Sequence, residues 1–178
     1  VEDKRLLKNS TLYVNLEPCN HYGKTPPCTE AIINNNIKKV VIGSQDPNKI
    51  VNGSGIEKLR SSGCNVSVGI MGKECDKLNK RFFTYHKLKR PFIILKWAET
   101  KDGFISPTKS VNILKKVNWI SGENAKKLSH KWRSEEHSIL VGVQTIIDDD
   151  PILTTRFVEG RSPIRFVLDP NSRIPLDS

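Results

Sequence analysis

The sequence predicts an α/β fold with largely parallel sheets, divided into two domains. Three observations carry this. Short β-branched apolar runs alternate with stretches of helical length, which is the pattern of strands joined by crossover helices. Arg90-Pro91 interrupts that alternation, and a second one begins after it. The length of 178 residues suits one large domain or two small ones.

The first alternation runs as follows. Strands are expected at TLYVNL (Thr11 to Leu16), KKVVIGS (Lys38 to Ser44) and NVSVGI (Asn65 to Ile70). Helices are expected at TEAIINNN and GIEKLRSSG, the second closed by Gly63 as its C-cap. A longer amphipathic helix is expected from Lys73 to Lys89. Its apolar residues Cys75, Leu78, Phe82, Tyr85 and Leu88 recur at spacings of three and four. In the second alternation, FIILKWAET is expected as a strand, Glu123 to His137 as a helix and SILVGV as a strand. A short TIIDDDP segment and the strand IRFVLD (Ile164 to Asp169) follow. The domains are thus expected at 1–89 and 90–178. A second domain of about 88 residues would bury its core poorly, so it reads as C-terminally cut off.

Composition narrows the function classes. No run of 18 apolar residues exists, so no membrane-spanning helix is expected. VEDKRLLKNS lacks an initiator Met and an apolar signal core, and the chain is expected to begin partway into a longer protein. Four cysteines without a secretory signal point to a reducing, cytoplasmic setting. The formal charge is +10, but the lysines are dispersed rather than clustered. That favours solvated faces and steering of anionic small molecules over a nucleic-acid footprint.

The most chemically informative stretch is PCNHYGKTPPC. Cys19 follows the first strand and Cys28 opens the next helix. Both thiols are therefore expected at one small volume, with the helix N-terminus favouring thiolate. Two thiolates on a proline-stiffened loop suit a zinc ion. The plainer reading is two buried thiols beside a turn. Cys64 and Cys75 sit at apolar positions and read as small core residues. Asp46 and Asn48, in QDPN, read on their own as turn chemistry before and after a proline.

LEPCNHYGKTPPC, a helix, and then VVIGSQDPN resemble the zinc deaminase domain of the bifunctional riboflavin-biosynthesis deaminase–reductases. The eight-residue gap between the cysteines is the mark of that branch. LKWAETKDGFIS, NWISGENAKKLSHKWRSEEHSILVG and TIIDDDPILTTR resemble the reductase domain of the same family. The resemblance implies the C-terminal part of a cytidine-deaminase-like three-layer domain, followed by the N-terminal part of a dihydrofolate-reductase-like domain. It implies Zn2+ on Cys19 and Cys28. It implies contacts to a pyrimidine ribosyl phosphate from His21, Lys24, Asp46 and Asn48, and from Arg133, Leu153 and Arg156. It implies NADPH contacts from Ala98, Trp119, Thr145 and Asp149. Two arginines suit a phosphate, since each presents a planar fork of donors.

The implied reactions are deamination of a diaminopyrimidine ribosyl phosphate and NADPH-dependent reduction of its ribosyl to a ribityl chain. The implied setting is a cytoplasmic homo-oligomer with no nucleic-acid or membrane partner. The family's third zinc ligand and its proton-shuttling Glu come from an upstream HAE motif, and no His precedes His21. No catalytic residue is therefore expected within the chain, and deamination by it alone is not expected. Two departures stand out: extra residues in SPTKSVNILKKV, and Val117 or Asn118 where a substrate-contacting serine is usual. The rival readings are another zinc-dependent nucleobase deaminase, or a basic nucleic-acid-binding module with structural zinc.

Overall fold

The computed structural model describes residues 3–105 and 119–175. The chain divides into two compact units, Val1–Ile94 and Leu95–Ser178. No helix among the described residues is long and apolar enough to cross a membrane.

Unit 1 opens with a 3-10 helix, Lys4–Asn9, whose first turn is capped by Asp3 accepting the Arg5 N–H at 3.0 Å. A β-α-β-α-β run follows: β1 (Thr11–Leu16), α1 (Cys28–Asn34), β2 (Lys39–Ser44), α2 (Ser54–Ser61) and β3 (Asn65–Val68). The strands form one parallel sheet in the order β1-β2-β3, with Val14 opposite Ile42 and Ile42 opposite Val68. β2 is the buried centre. Alternate strand residues Leu12, Val14, Val40, Ile42 and Val66 meet Ile32 of α1 and Ile56 and Leu59 of α2, and Cys64 completes this core. Full burial of Leu59 contributes roughly 2 kcal/mol. α2 ends in a Schellman motif: Gly63, at φ +79°, donates to the Arg60 carbonyl, and the Cys64 N–H reaches the Leu59 carbonyl. Gly63 is thus the left-handed residue that the sequence called for.

α3 (Gly72–Leu78) packs on the other face of the sheet and makes the third layer. Gly43 of β2 admits it, because a Cβ there would lie 2.2 Å from the Cys75 sulfur. The expected single helix from Lys73 to Lys89 is instead two, α3 and α4 (Lys80–Leu88), broken at Asn79. The Asn79 amide donates to the Cys75 carbonyl and to Asn15 Oδ1, and its backbone sits at φ −96°, ψ 17°. Asparagine side chains compete with the helical backbone in this way. The expected apolar stripe shifts accordingly. Phe83 is the buried residue of α4, while Leu78, Tyr85 and Leu88 stay exposed.

Unit 2 contains α5 (Glu123–Glu135), β4 (Ser138–Gly142), α6 (Val143–Asp149) and β5 (Ile164–Leu168). β4 and β5 pair in parallel, Leu140 opposite Phe166. FIILKWAET does not form a strand. Apolar β-branched residues favour a strand only where a neighbour completes the ladder, and Ile93, Leu95 and Trp97 are exposed.

Gly43→Ala is expected to destabilise the protein by about 1–3 kcal/mol in urea unfolding, because the new methyl overpacks against Cys75. Adding Cys75→Ala should recover part of that loss.

Candidate functional site

Consecutive parallel strands end side by side, so their following loops meet at the carboxyl edge of the sheet, where open α/β sheets bind ligands. Here Leu16 is opposite Ser44. The Cys19 loop and the Asp46 loop are therefore neighbours. Glu17, almost fully buried, joins them. Its Oε2 accepts the Asp46 N–H at 3.1 Å and the Gly53 N–H at 2.9 Å. Its Oε1 accepts the Gly55 and Ile56 N–H groups at 2.9 and 3.2 Å. The last two belong to the first turn of α2, whose N-cap Gly53 has no side chain to satisfy them. Gly55 is required beside this contact, since a Cβ would lie 1.9 Å from the Pro18 carbonyl oxygen. Sequence reasoning missed this role. A glycine N-cap ahead of α2 was the signal that an acceptor must come from elsewhere.

Cys19 and Cys28 are brought together as expected. Cys28 opens α1 behind Pro27, and its N–H donates to Cys19 Sγ at 3.4 Å. Thr29, fully buried, locks the loop: its N–H donates to the Cys19 carbonyl and its hydroxyl to Asn20 Oδ1. Desolvation raises the Cys28 thiol pKa, and hydrogen bonding and charge from Cys19 add to it. Two facing sulfurs repel as anions, and a cation between them inverts that cost. The donor set fits two positions of a zinc tetrahedron. Among the described residues, no third His, Cys, Asp or Glu completes a metal-holding group.

The other candidate residues of unit 1 lie on the same two loops. The buried Nδ1 of His21 has no hydrogen-bond partner among the described residues, and Lys24 is exposed. Asp46 is buried and accepts the Asn48 N–H at 2.7 Å, while Asn48 Oδ1 accepts from Ile50. Both therefore perform turn chemistry, at a position beside the thiol loop.

In unit 2 the structure gathers Arg133, Leu153 and Arg156. Arg133 Nη1 donates to the Thr154 carbonyl at 3.1 Å, and Arg156 Nη1 to the Thr154 hydroxyl at 3.3 Å. Leu153 is buried at φ +57°, a conformation that costs a non-glycine residue about 1–2 kcal/mol. No carboxylate among the described residues lies within ion-pair distance of either arginine. The centre of this group is His130, which sequence reasoning missed. It is buried, accepts the Arg156 N–H on Nδ1 at 3.0 Å, and meets Phe157 edge-on at 4.6 Å. Desolvation lowers its pKa, and Arg133 and Arg156 lower it further. Desolvation, then Arg156, also lowers the Arg133 pKa. The spacing His130–Arg133 on one helix face was the available signal.

Thr145 and Asp149 lie one turn apart on α6, half-buried and exposed respectively. Ala98 and Trp119 lie on segments without helix or strand, with the Lys126 ammonium 3.5 Å from the Trp119 ring centre. SPTKSVNILKKV, residues 106–117, and Asn118 lie outside the described residues.

A thiol pair thus lies at the carboxyl edge of a three-layer domain, and a unit with paired arginines follows it in the chain. Residues 2–44 match the cytidine and deoxycytidylate deaminase zinc-binding region, and residues 91–178 match the RibD C-terminal domain. The chain is 47% identical over 172 residues to riboflavin biosynthesis protein RibD of Aquifex aeolicus, covering 96% of this chain and 47% of that protein. It is 36% identical over 180 residues to RibD of Escherichia coli, covering 94% and 48%. Among solved structures it resembles the diaminohydroxyphosphoribosylaminopyrimidine deaminase/5-amino-6-(5-phosphoribosylamino)uracil reductase of Thermotoga maritima. That match has a TM-score of 0.81 at 43% identity, over 90% of this chain and 44% of the other. Acinetobacter baumannii RibD, form 1, matches with a TM-score of 0.82 at 35% identity, over 92% and 46%. Over nearly all of its length the chain is similar to part of the RibD proteins. It spans about half the length of the curated relatives it matches.

Two outcomes are expected. Glu17→Gln places an amide NH2 against backbone donors and should cost about 3 kcal/mol in denaturant unfolding. His130 has its folded pKa depressed, so its contribution to stability is full above the ordinary imidazole value of about 6.5 and declines as pH falls below it. The Tm of the wild-type protein should therefore drop between about pH 6.5 and 5, and by less in His130→Asn.

Proposed function

We propose that the chain forms part of a bifunctional enzyme of riboflavin biosynthesis. Its first unit serves deamination of a diaminopyrimidine ribosyl phosphate, and its second serves reduction of the ribosyl to a ribityl side chain. The observation that carries this is the presence, on one chain, of the Cys19–Cys28 pair beside the Asp46 loop and of the Arg133–Arg156 pair around Thr154.

Cys19 and Cys28 would hold Zn2+, which when bound supplies Lewis-acid activation of water. The chain's own part is placement. Glu17 is saturated by backbone donors, so it fixes the loops and is no candidate for moving a proton. His21 Nδ1 offers a hydrogen-bonding atom to a ligand, Lys24 offers a charge, and Asp46 and Asn48 line the adjoining turn.

In unit 2 the cofactor is NADPH, which supplies the hydride. Ala98, Trp119, Thr145 and Asp149 are assigned to it. Arg133, Leu153 and Arg156 are assigned to the ribosyl phosphate, with two cations that lack a carboxylate partner among the described residues. The reading includes a homo-oligomeric assembly and a cytoplasmic location. It excludes nucleic acid as the partner.

Zinc analysis and two separate assays on the full-length protein test this. Cys19→Ser and Cys28→Ser should each abolish bound zinc and deamination while leaving reduction intact. Arg133→Lys and Arg156→Lys should each raise the KM for the ribosylamino phosphate by about 10-fold, an interaction worth about 1.4 kcal/mol, with the KM for NADPH unchanged. Salt-sensitive duplex binding without any NADPH binding would sink the reading.

A further inference from the structure

The arginine pair has no intrinsic reason to converge. Arg133 projects from α5, whereas Arg156 lies beyond a turn that follows α6. Like charges at short range repel, and each guanidinium lowers the tendency of its neighbours to hold a proton. Something uncharged must hold the Arg156 segment on α5.

Beside the Arg133 hydrogen bond to the Thr154 carbonyl, three uncharged contacts do so. The His130 imidazole accepts the Arg156 N–H at 3.0 Å. Phe157, one residue further on, meets the ring in a T-shaped contact. Gly160 then packs onto α5 so closely that a Cβ there would lie 2.6 Å from Ser134 Cβ. Of these, only His130 carries a polar atom aimed at the backbone of an arginine. Because Nδ1 accepts, the neutral ring carries its proton on Nε2, which lies 3.5 Å from Arg133 Nη1. The ring is thus hydrogen-bonded to the Arg156 amide alone, faces Arg133 donor to donor, and adds no charge between the arginines.

We propose that His130 is the positioning residue of this anion site: by accepting the Arg156 amide it fixes the Leu153–Arg156 turn against α5, so that the two guanidiniums serve one phosphate. The inference rests on the reading of Arg133 and Arg156 as the ribosyl phosphate site. His130 does not itself touch the substrate. A side chain that accepts a hydrogen bond at the same place should preserve the site, and one that only fills the space should not.

The test uses the full-length protein with His130→Asn, which keeps an acceptor, and His130→Phe, which keeps a ring without one. Three quantities are read: affinity for ribose 5-phosphate, affinity for NADPH, and hydrogen exchange of the Arg156 amide. His130→Phe should weaken ribose 5-phosphate about 10-fold or more, leave NADPH within about twofold, and deprotect the Arg156 amide. His130→Asn should retain sugar-phosphate affinity within about threefold and keep the amide protected.

Wild-type affinity in His130→Phe overturns the inference. So does an equal loss of affinity in both variants, or a His130→Asn protein that does not fold. A wild-type protein that binds NADPH but no ribose 5-phosphate overturns the functional reading of the arginines instead, and the Arg156 amide exchange separates the two failures.

Discussion

Unit 1 depends on one buried carboxylate. Glu17 collects four backbone N–H groups from the segment that leaves β2 and from the start of α2. A buried carboxylate left unpaired is costly, and so is a buried helix start without an acceptor. Each need meets the other here. Everything of chemical interest in the unit hangs from this contact. Pro18 and Cys19 follow Glu17 directly, and Asp46 is one of its donors. The site therefore stands on a polar interaction between one side chain and the backbone, and one of its donors, Ile56, belongs to the hydrophobic core.

Unit 2 solves a different problem by a related device. It holds two guanidiniums together, which electrostatics opposes. The imidazole of His130 supplies a hydrogen-bond acceptor on Nδ1, and desolvation and the two arginines disfavour its protonation. Thr154 then takes one arginine on its carbonyl and the other on its hydroxyl. In both units a single side chain ties a loop after one element to the start or face of another. In both, the tied group is backbone N–H.

What was legible in the sequence was local. The β-α-β-α-β order of residues 11–68 follows from alternating apolar runs, and Gly63 announces its own left-handed cap. The Cys19–Cys28 pairing was legible because prolines and a helix start leave the loop few courses. Asn79 was harder. Its side chain breaks a helix whose period continues through it, and it does so by reaching Asn15, more than sixty residues away in sequence. FIILKWAET has the composition of a strand, but a strand exists only through its neighbours. Neither Glu17 nor His130 stands out by residue type, since each acts on backbone that arrives from a distant segment.

By itself, then, the chain order determined the class of fold, the thiol pair and the family that those motifs resemble, because propensity, periodicity and short-range spacing are properties of adjacent residues. Only the tertiary structure decided that Glu17 is a scaffold and that Arg133 and Arg156 converge on Thr154 around His130. Those outcomes turn on which backbone donors are buried beside which acceptors. That is settled when strands and helices pack, and no local pattern encodes it.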